Sequence, residues 1–158
     1  MSSATPDRIF GPVSVDGAAP STAMLHGTTV ALGTTAALIV GESGTGKSSL
    51  ALQLLAFGAA LVSDDQTVVT RRDDTLCASA PPAIAGRIEA RGIGLLAAEP
   101  VSGVPIRLVI GMDTVEKDRL PPLYHCRILG VRLPLVHRVD ATHFPAAILQ
   151  YLRGGRSA

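Results

Sequence analysis

The chain contains no tryptophan, and aromatic residues fill only 3% of its 158 positions. A core built from it must therefore use Ala, Val, Leu and Ile, within an apolar fraction of 47%. Such side chains suit strands buried on both faces, as in a parallel sheet covered by helices. Cysteine is scarce, with only Cys77 and Cys126. They have no CxxC spacing, and the His125–Cys126 neighbours do not make a tetrahedral metal site. They read as two reduced thiols. Charge of either sign is low, 17% of residues, with 14 basic against 13 acidic. That balance offers no basic face for nucleic acid or for a membrane surface. Long apolar runs are missing as well. The longest uncharged one, Thr28 to Gly41, falls short of the roughly 20 residues that a bilayer span needs. The first ten residues carry Asp7 and Arg8 and lack the apolar stretch of a signal peptide. The expectation is one soluble, cytoplasmic domain over residues 22–158, behind a Ser-, Ala-, Pro- and Gly-rich arm at 1–21. That arm is read as mobile, with one short edge strand at Arg8–Val15.

Among what is present, Met24–Leu32 reads as a strand and Gly33-Thr34 as a turn. Thr35–Val40 (TAALIV) is apolar throughout and so reads as a central strand. Lys47–Phe57 carries Leu50, Ala51, Leu54 and Leu55 at helical spacing, and Gly58 terminates it. Ala60–Ser63 is a short strand ending in Asp64-Asp65. Thr67–Arg71 and Thr75–Ser79 flank Asp73-Asp74 as a hairpin. Ile84–Arg91 reads equally as a short helix or as irregular chain. Ile106–Met112 is a further strand. Pro134 makes Ile128–Val136 an edge strand. Pro145–Arg153 is a last helix, with proline in its first turn and Gly154 at its end. There is no internal repeat.

Gly41–Ser48 (GESGTGKS) meets the pattern G-x-x-x-x-G-K-[ST] between that central strand and that helix. Gly41, Gly44 and Gly46 allow backbone conformations barred to other residues. The backbone N–H groups of Gly41, Glu42, Ser43, Gly44, Thr45 and Gly46 can then ring a phosphate, at which the next helix aims its positive end. Lys47 supplies a full charge to the β- and γ-phosphates, and the Ser48 hydroxyl is placed to hold Mg²⁺. The expected ligand is ATP.

The first acidic residues after the loop, Asp64-Asp65, follow one helix, one turn and one strand. If that strand runs parallel to Thr35–Val40, both end on the same edge of the sheet, where α/β proteins bind ligands. Adjacent strand residues point to opposite faces. One Asp should then face the γ-phosphate, to ligate Mg²⁺ or accept a proton from an attacking hydroxyl, and the other should be structural.

These residues resemble the kinase domain of bacterial HPr kinase/phosphorylase. The likeness rests on His26-Gly27, GESGTGKSSLALQLLAFGAALVSDD and PPAIAGRIEARGIGLL, in order and at matching spacing, over residues 24 to 96 and more weakly to about 135. The resemblance implies an α/β phosphate-loop fold related to phosphoenolpyruvate carboxykinase, with a mixed sheet and flanking helices. It implies that Asp65 takes the proton of a serine, with Asp64 its neighbour and His26 beside it. It implies that Ser48 and Glu89 hold Mg²⁺. Glu89-Ala90-Arg91-Gly92-Ile93-Gly94 is similar to the family's E-[IV]-R-G-[IL]-G signature, which singles out Arg91, with Ala90 at a usually larger position. Arg119, in KDRL, resembles the family's active-site arginine. His125, His137 and His143 are read as surface residues. A hexamer is the assembly that the resemblance implies.

Where the family carries a late Gly- and Arg-rich segment tied to phosphorolysis, this chain reads LVHRVDATHFPAA. The expectation is therefore an ATP- and Mg²⁺-dependent serine kinase of HPr or an HPr-like phosphocarrier, with the phosphorylase reaction doubtful. Two rivals stand beside it. A small-molecule phosphate-loop kinase would need an arginine-rich lid, for which Arg71-Arg72 is a poor candidate. A non-catalytic ATP-binding sensor would keep the loop without turnover.

Overall fold

A computed structural model describes residues 7–13 and 21–158. The expected mobile arm falls largely on residues 1–6 and 14–20, which lie outside the described residues. The chain forms β1 (Arg8–Phe10), β2 (Thr22–Leu32), β3 (Thr35–Val40), α1 (Lys47–Ala56), β4 (Ala60–Ser63), β5 (Gln66–Arg72) and β6 (Thr75–Ser79). There follow β7 (Arg87–Ala90), β8 (Gly94–Ala97), β9 (Val104–Val115), β10 (Tyr124–Ile128), β11 (Val131–Arg138) and α2 (Phe144–Gly154).

The apolar run of β3 is central, as its sequence implies. Ala36, Leu38 and Val40 enter one core and Ala37 and Ile39 the other, all of them buried. Its neighbour β9 is parallel to it and changes faces part-way. Val104 and Ile106 lie in the first core, whereas Leu108, Ile110 and Met112 lie in the second. The pairing slips by one residue at Arg107, and this bulge reverses the side-chain alternation.

The main sheet has nine strands in the order β1-β10-β11-β9-β3-β2-β5-β6, with β4 also on β2. β6 pairs back onto the start of β9, through Cys77↔Pro105 and Ala78↔Val104. The strands β9, β3, β2, β5 and β6 therefore close a ring around the first core. Both helices cover the second core, α1 through Leu50, Ala51 and Leu54 and α2 through Phe144, Ile148, Leu149 and Leu152. The architecture is the expected mixed sheet with helices. It is not the parallel, doubly covered sheet that composition alone favours, because a curled sheet buries one of its own faces.

Three expectations change. Ile84–Arg91 contains β7, paired with β8 in a separate two-stranded ribbon. Ile128–Val136 is part of the hairpin β10–β11, and β11 sits between β10 and β9 rather than at an edge. Pro134 is tolerated because β9 joins β11 only from Leu135 onward. His137 is not a surface residue: its side chain is 15% exposed and its ring lies on Tyr124. Both cysteines are free thiols, and burial pushes that of Cys126 up to about 12, so it packs as an inert apolar group. Among the described residues, no helix is long and apolar enough to cross a membrane.

Candidate active site

The loop between β3 and α1 sits at the carboxyl edge shared by the parallel strands β3 and β9. Gly41, Gly44 and Gly46 all have positive φ. At Gly41, with φ 151°, an added Cβ would fall 2.8 Å from Thr45 Oγ1 and 3.0 Å from Met112 Cβ, so only glycine fits. The loop is held from inside and outside. Lys47 is buried, and its Nζ donates to the carbonyls of Gly41 at 2.7 Å and Glu42 at 2.9 Å. Thr45 Oγ1 donates to Glu42 O at 2.7 Å. From the end of β9, Asp113 Oδ1 accepts the Glu42 N–H at 2.9 Å. The first turn of α1 holds no acidic residue, and its N-cap makes no side-chain hydrogen bond. Its positive end is thus unopposed by any acidic residue of its own first turn.

β4 and β5 lie end to end along β2, β4 beside Thr29–Ala31 and β5 beside Thr22–His26. Both are antiparallel to β2, as is β3. β4 therefore runs in the direction of β3, as expected, but with β2 between them. Asp64-Asp65 occupy the break, where Asp65 takes φ 67°. The break sends the two carboxylates to different tasks. Asp64 is 8% exposed, and three donors meet its carboxylate. Ser48 Oγ donates to Oδ1 at 2.6 Å, Thr28 Oγ1 to Oδ1 at 3.0 Å, and the Glu89 N–H to Oδ2 at 2.9 Å. Asp65 faces outward, with its side chain 64% exposed and its Oδ1 2.9 Å from His26 Nε2. Its backbone is fixed at both polar groups: the Asp65 N–H donates to Thr28 Oγ1 at 3.1 Å, and its carbonyl accepts the Gly27 N–H at 2.8 Å.

The ribbon β7–β8 makes the opposite wall. Ile88 is buried in the second core and anchors it, which leaves Glu89 and Arg91 on the open side. An open cleft of about 600 Å³ results, lined among others by Ser43, Lys47, Ser48, Asp65, Glu89 and Arg91. The structure thus gathers loop, aspartates, His26, Glu89 and Arg91 in one place. It does not bring Arg119 there: that residue is exposed in the segment between β9 and β10 and is not part of the cleft wall. Two residues escaped sequence reasoning. Thr28 could have been noticed as a hydroxyl in an apolar strand, which when buried must find a partner. Asp113 is the lone acid ending the apolar strand 106–112, at the edge where ligands bind.

Does Mg²⁺ fit? Ser48 Oγ, Asp64 and Glu89 are hard oxygen donors beside the loop, the set that Mg²⁺ takes together with phosphate oxygens. Among the described residues, no cluster of three His, Cys, Asp or Glu side chains could cage a metal alone.

Fold and site define a mixed α/β protein of the phosphate-binding-loop type. The family model for the HPr Serine kinase C-terminal domain matches residues 18–119, and the chain belongs to that family. It is 43% identical over 109 residues to HPr kinase/phosphorylase 1 of Oceanobacillus iheyensis, covering 64% of this chain and 35% of that one. It is 34% identical over 122 residues to HPr kinase/phosphorylase of Enterococcus faecalis, covering 71% and 39%. The chain thus spans little more than a third of the length of these relatives. Among solved structures, the Hpr(Ser) kinase/phosphatase from Coxiella burnetii matches with a TM-score of 0.68 at 25% identity. That match covers 82% of this chain and 93% of that one.

Proposed function

We propose that the protein is an ATP- and Mg²⁺-dependent serine kinase acting on an HPr-like phosphocarrier. The observation that carries this reading is the division of labour at Asp64-Asp65. One carboxylate is tied to the loop serine at 2.6 Å, and the other is free on the cleft wall with a histidine at 2.9 Å. A protein that only binds nucleotide has no use for the second. In the proposed reaction Lys47 and the loop N–H groups bind the phosphates of ATP. Ser48, Asp64 and Glu89 would hold Mg²⁺, which supplies neutralisation of the phosphate charge. Asp65 accepts the proton of the incoming serine hydroxyl, and His26 holds the Asp65 carboxylate in place for it. Arg91 lies on the same wall and adds positive charge near the transferring group. Arg119 is assigned no contact with the reacting groups of its own chain.

Residues 22–158 act as one domain in this reading. A cytoplasmic setting and a homo-oligomer, a hexamer by likeness to the family, go with it. The reading is of the forward transfer, and phosphorolysis is doubtful in it, since LVHRVDATHFPAA stands where the resemblance puts the family's phosphorolysis segment.

The test mixes the protein with labelled ATP, Mg²⁺ and purified HPr. Transfer to a serine is expected. Asp65→Asn should lower its rate by roughly 10²- to 10⁴-fold, the usual worth of a general base, with ATP affinity nearly unchanged. Intact ATP binding without transfer would favour the sensor instead.

A further inference from the structure

Two hollows meet at the phosphate loop. One is the wide cleft, lined by Asp65, Glu89 and Arg91. The other, a groove of about 260 Å³, lies beyond Gly46 and Ser49, which line both. Its near wall is a face of α1, with Ser49 and, one turn on, Gln53, both exposed. Its far wall is the chain from Arg138 to Pro145, beyond residue 119, where the family match ends. Met112 makes the floor, and its Cε lies 3.8 Å from where a Cβ on Gly46 would fall. Arg138 ties the far wall to that floor: its Nη1 donates to the Met112 carbonyl at 3.1 Å, and its Nε lies 3.0 Å from Asp140 Oδ1. The parallel strands β3, β9 and β11 all run toward this edge, the carboxyl edge at which α/β sheets take ligands.

The direction of transfer decides which hollow holds what. Asp65 lines the wide cleft and not the groove. If Asp65 accepts the serine proton, the hydroxyl attacks the γ-phosphorus from the wide cleft. Attacking and leaving oxygens lie roughly in line. The β-phosphate and everything beyond it must then point away from Asp65. On that side the nucleotide passes Gly46 and Ser49, where the groove begins.

We propose that the groove between α1 and residues 138–145 binds the purine nucleoside of the nucleotide, an assignment that rests on the kinase reading. The wide cleft is then left to the acceptor serine. A cavity of about 150 Å³ holds a benzene-sized ring, so 260 Å³ has room for a fused two-ring base. Met112, Val139 and Pro145 offer apolar surface to the base, and Gln53 and Asp140 offer polar groups at the rim. Apolar walls with a few polar groups are the usual form of a small-molecule site.

Two measurements test this. In the first, ATP and inorganic triphosphate, each with Mg²⁺, are titrated calorimetrically into the full chain and into Ala141→Trp. Ala141 is exposed and lines the groove, so an indole there occupies it and leaves the loop residues as they are. ATP affinity should fall by about tenfold or more, the worth of burying one apolar ring, while triphosphate affinity stays the same. In the second, nuclear Overhauser contacts are read from the base protons of ATP bound to the unaltered protein. They should reach the methyl groups of Met112 and Val139, and not those of Leu52 and Ile93 in the wide cleft. Contacts to Leu52 or Ile93 instead, or an ATP affinity unmoved by Ala141→Trp, would overturn the nucleoside site and leave the kinase reading standing. An unaltered protein that binds neither ligand would overturn both.

Discussion

Thr28 does two jobs with one hydroxyl. It donates to Asp64 Oδ1 at 3.0 Å and accepts from the Asp65 N–H at 3.1 Å, at a position with no solvent exposure. It therefore sets the relative positions of both aspartates. Thr28→Val keeps the shape and removes the hydroxyl. The Asp65 N–H then loses its acceptor, at a cost of about 1–3 kcal/mol for a buried unsatisfied group. Urea unfolding should show that loss, and HPr phosphorylation should fall with it, while ATP affinity changes less. A variant as stable as the parent would mean that the Asp65 amide finds another partner. The pairing joins residues 36 and 37 positions apart, so no local pattern in the sequence could reveal it.

At the scale of elements, β4 and β5 are in effect one strand along β2, interrupted to make the site. The interruption holds Asp65 at φ 67°, which Asp and Asn tolerate and β-branched residues resist. Asp65→Asn should be near neutral in stability, and Asp65→Val should cost about 1–2 kcal/mol more. Both should lower phosphate transfer by roughly 10²- to 10⁴-fold, since both remove the proton acceptor. Thermal unfolding of the pair separates what the backbone break needs from what the chemistry needs. If the two were equally stable, the break would carry no strain. The β3–loop–α1 unit was legible in advance because each part is encoded locally: an apolar run, glycines, and Leu50 and Leu54 one turn apart. β7 was not. It has only four residues, and its partner β8 is exposed along its whole length and shows no alternation. Pro134 argued for an edge strand, and only the late arrival of β9 beside β11 makes it admissible. The ring closure of β6 on β9 rests on two residue pairs far apart in sequence and leaves no periodicity to read.

For the whole molecule, the loop is where the two cores meet. Asp113 ties it to β9, Ser48 ties it through Asp64 to the β4–β5 break, and α1 rides on the second core directly behind it. A ligand on the loop should therefore stabilise the entire fold and not the loop alone. At about 100 times its dissociation constant, Mg-ATP should add about 2.7 kcal/mol. For a domain of this size each kcal/mol moves Tm by roughly 2–4 °C, so the shift should be about 5–11 °C. It should appear as one cooperative transition displaced as a unit. Lys47→Met removes the ammonium that bonds the Gly41 and Glu42 carbonyls and that would meet the phosphates. It should lower the starting Tm slightly and remove nearly all of the Mg-ATP shift. A second, ligand-insensitive transition in calorimetry would show that one core unfolds independently. The ties from the loop to both strands would then be too weak to make the cores one unit.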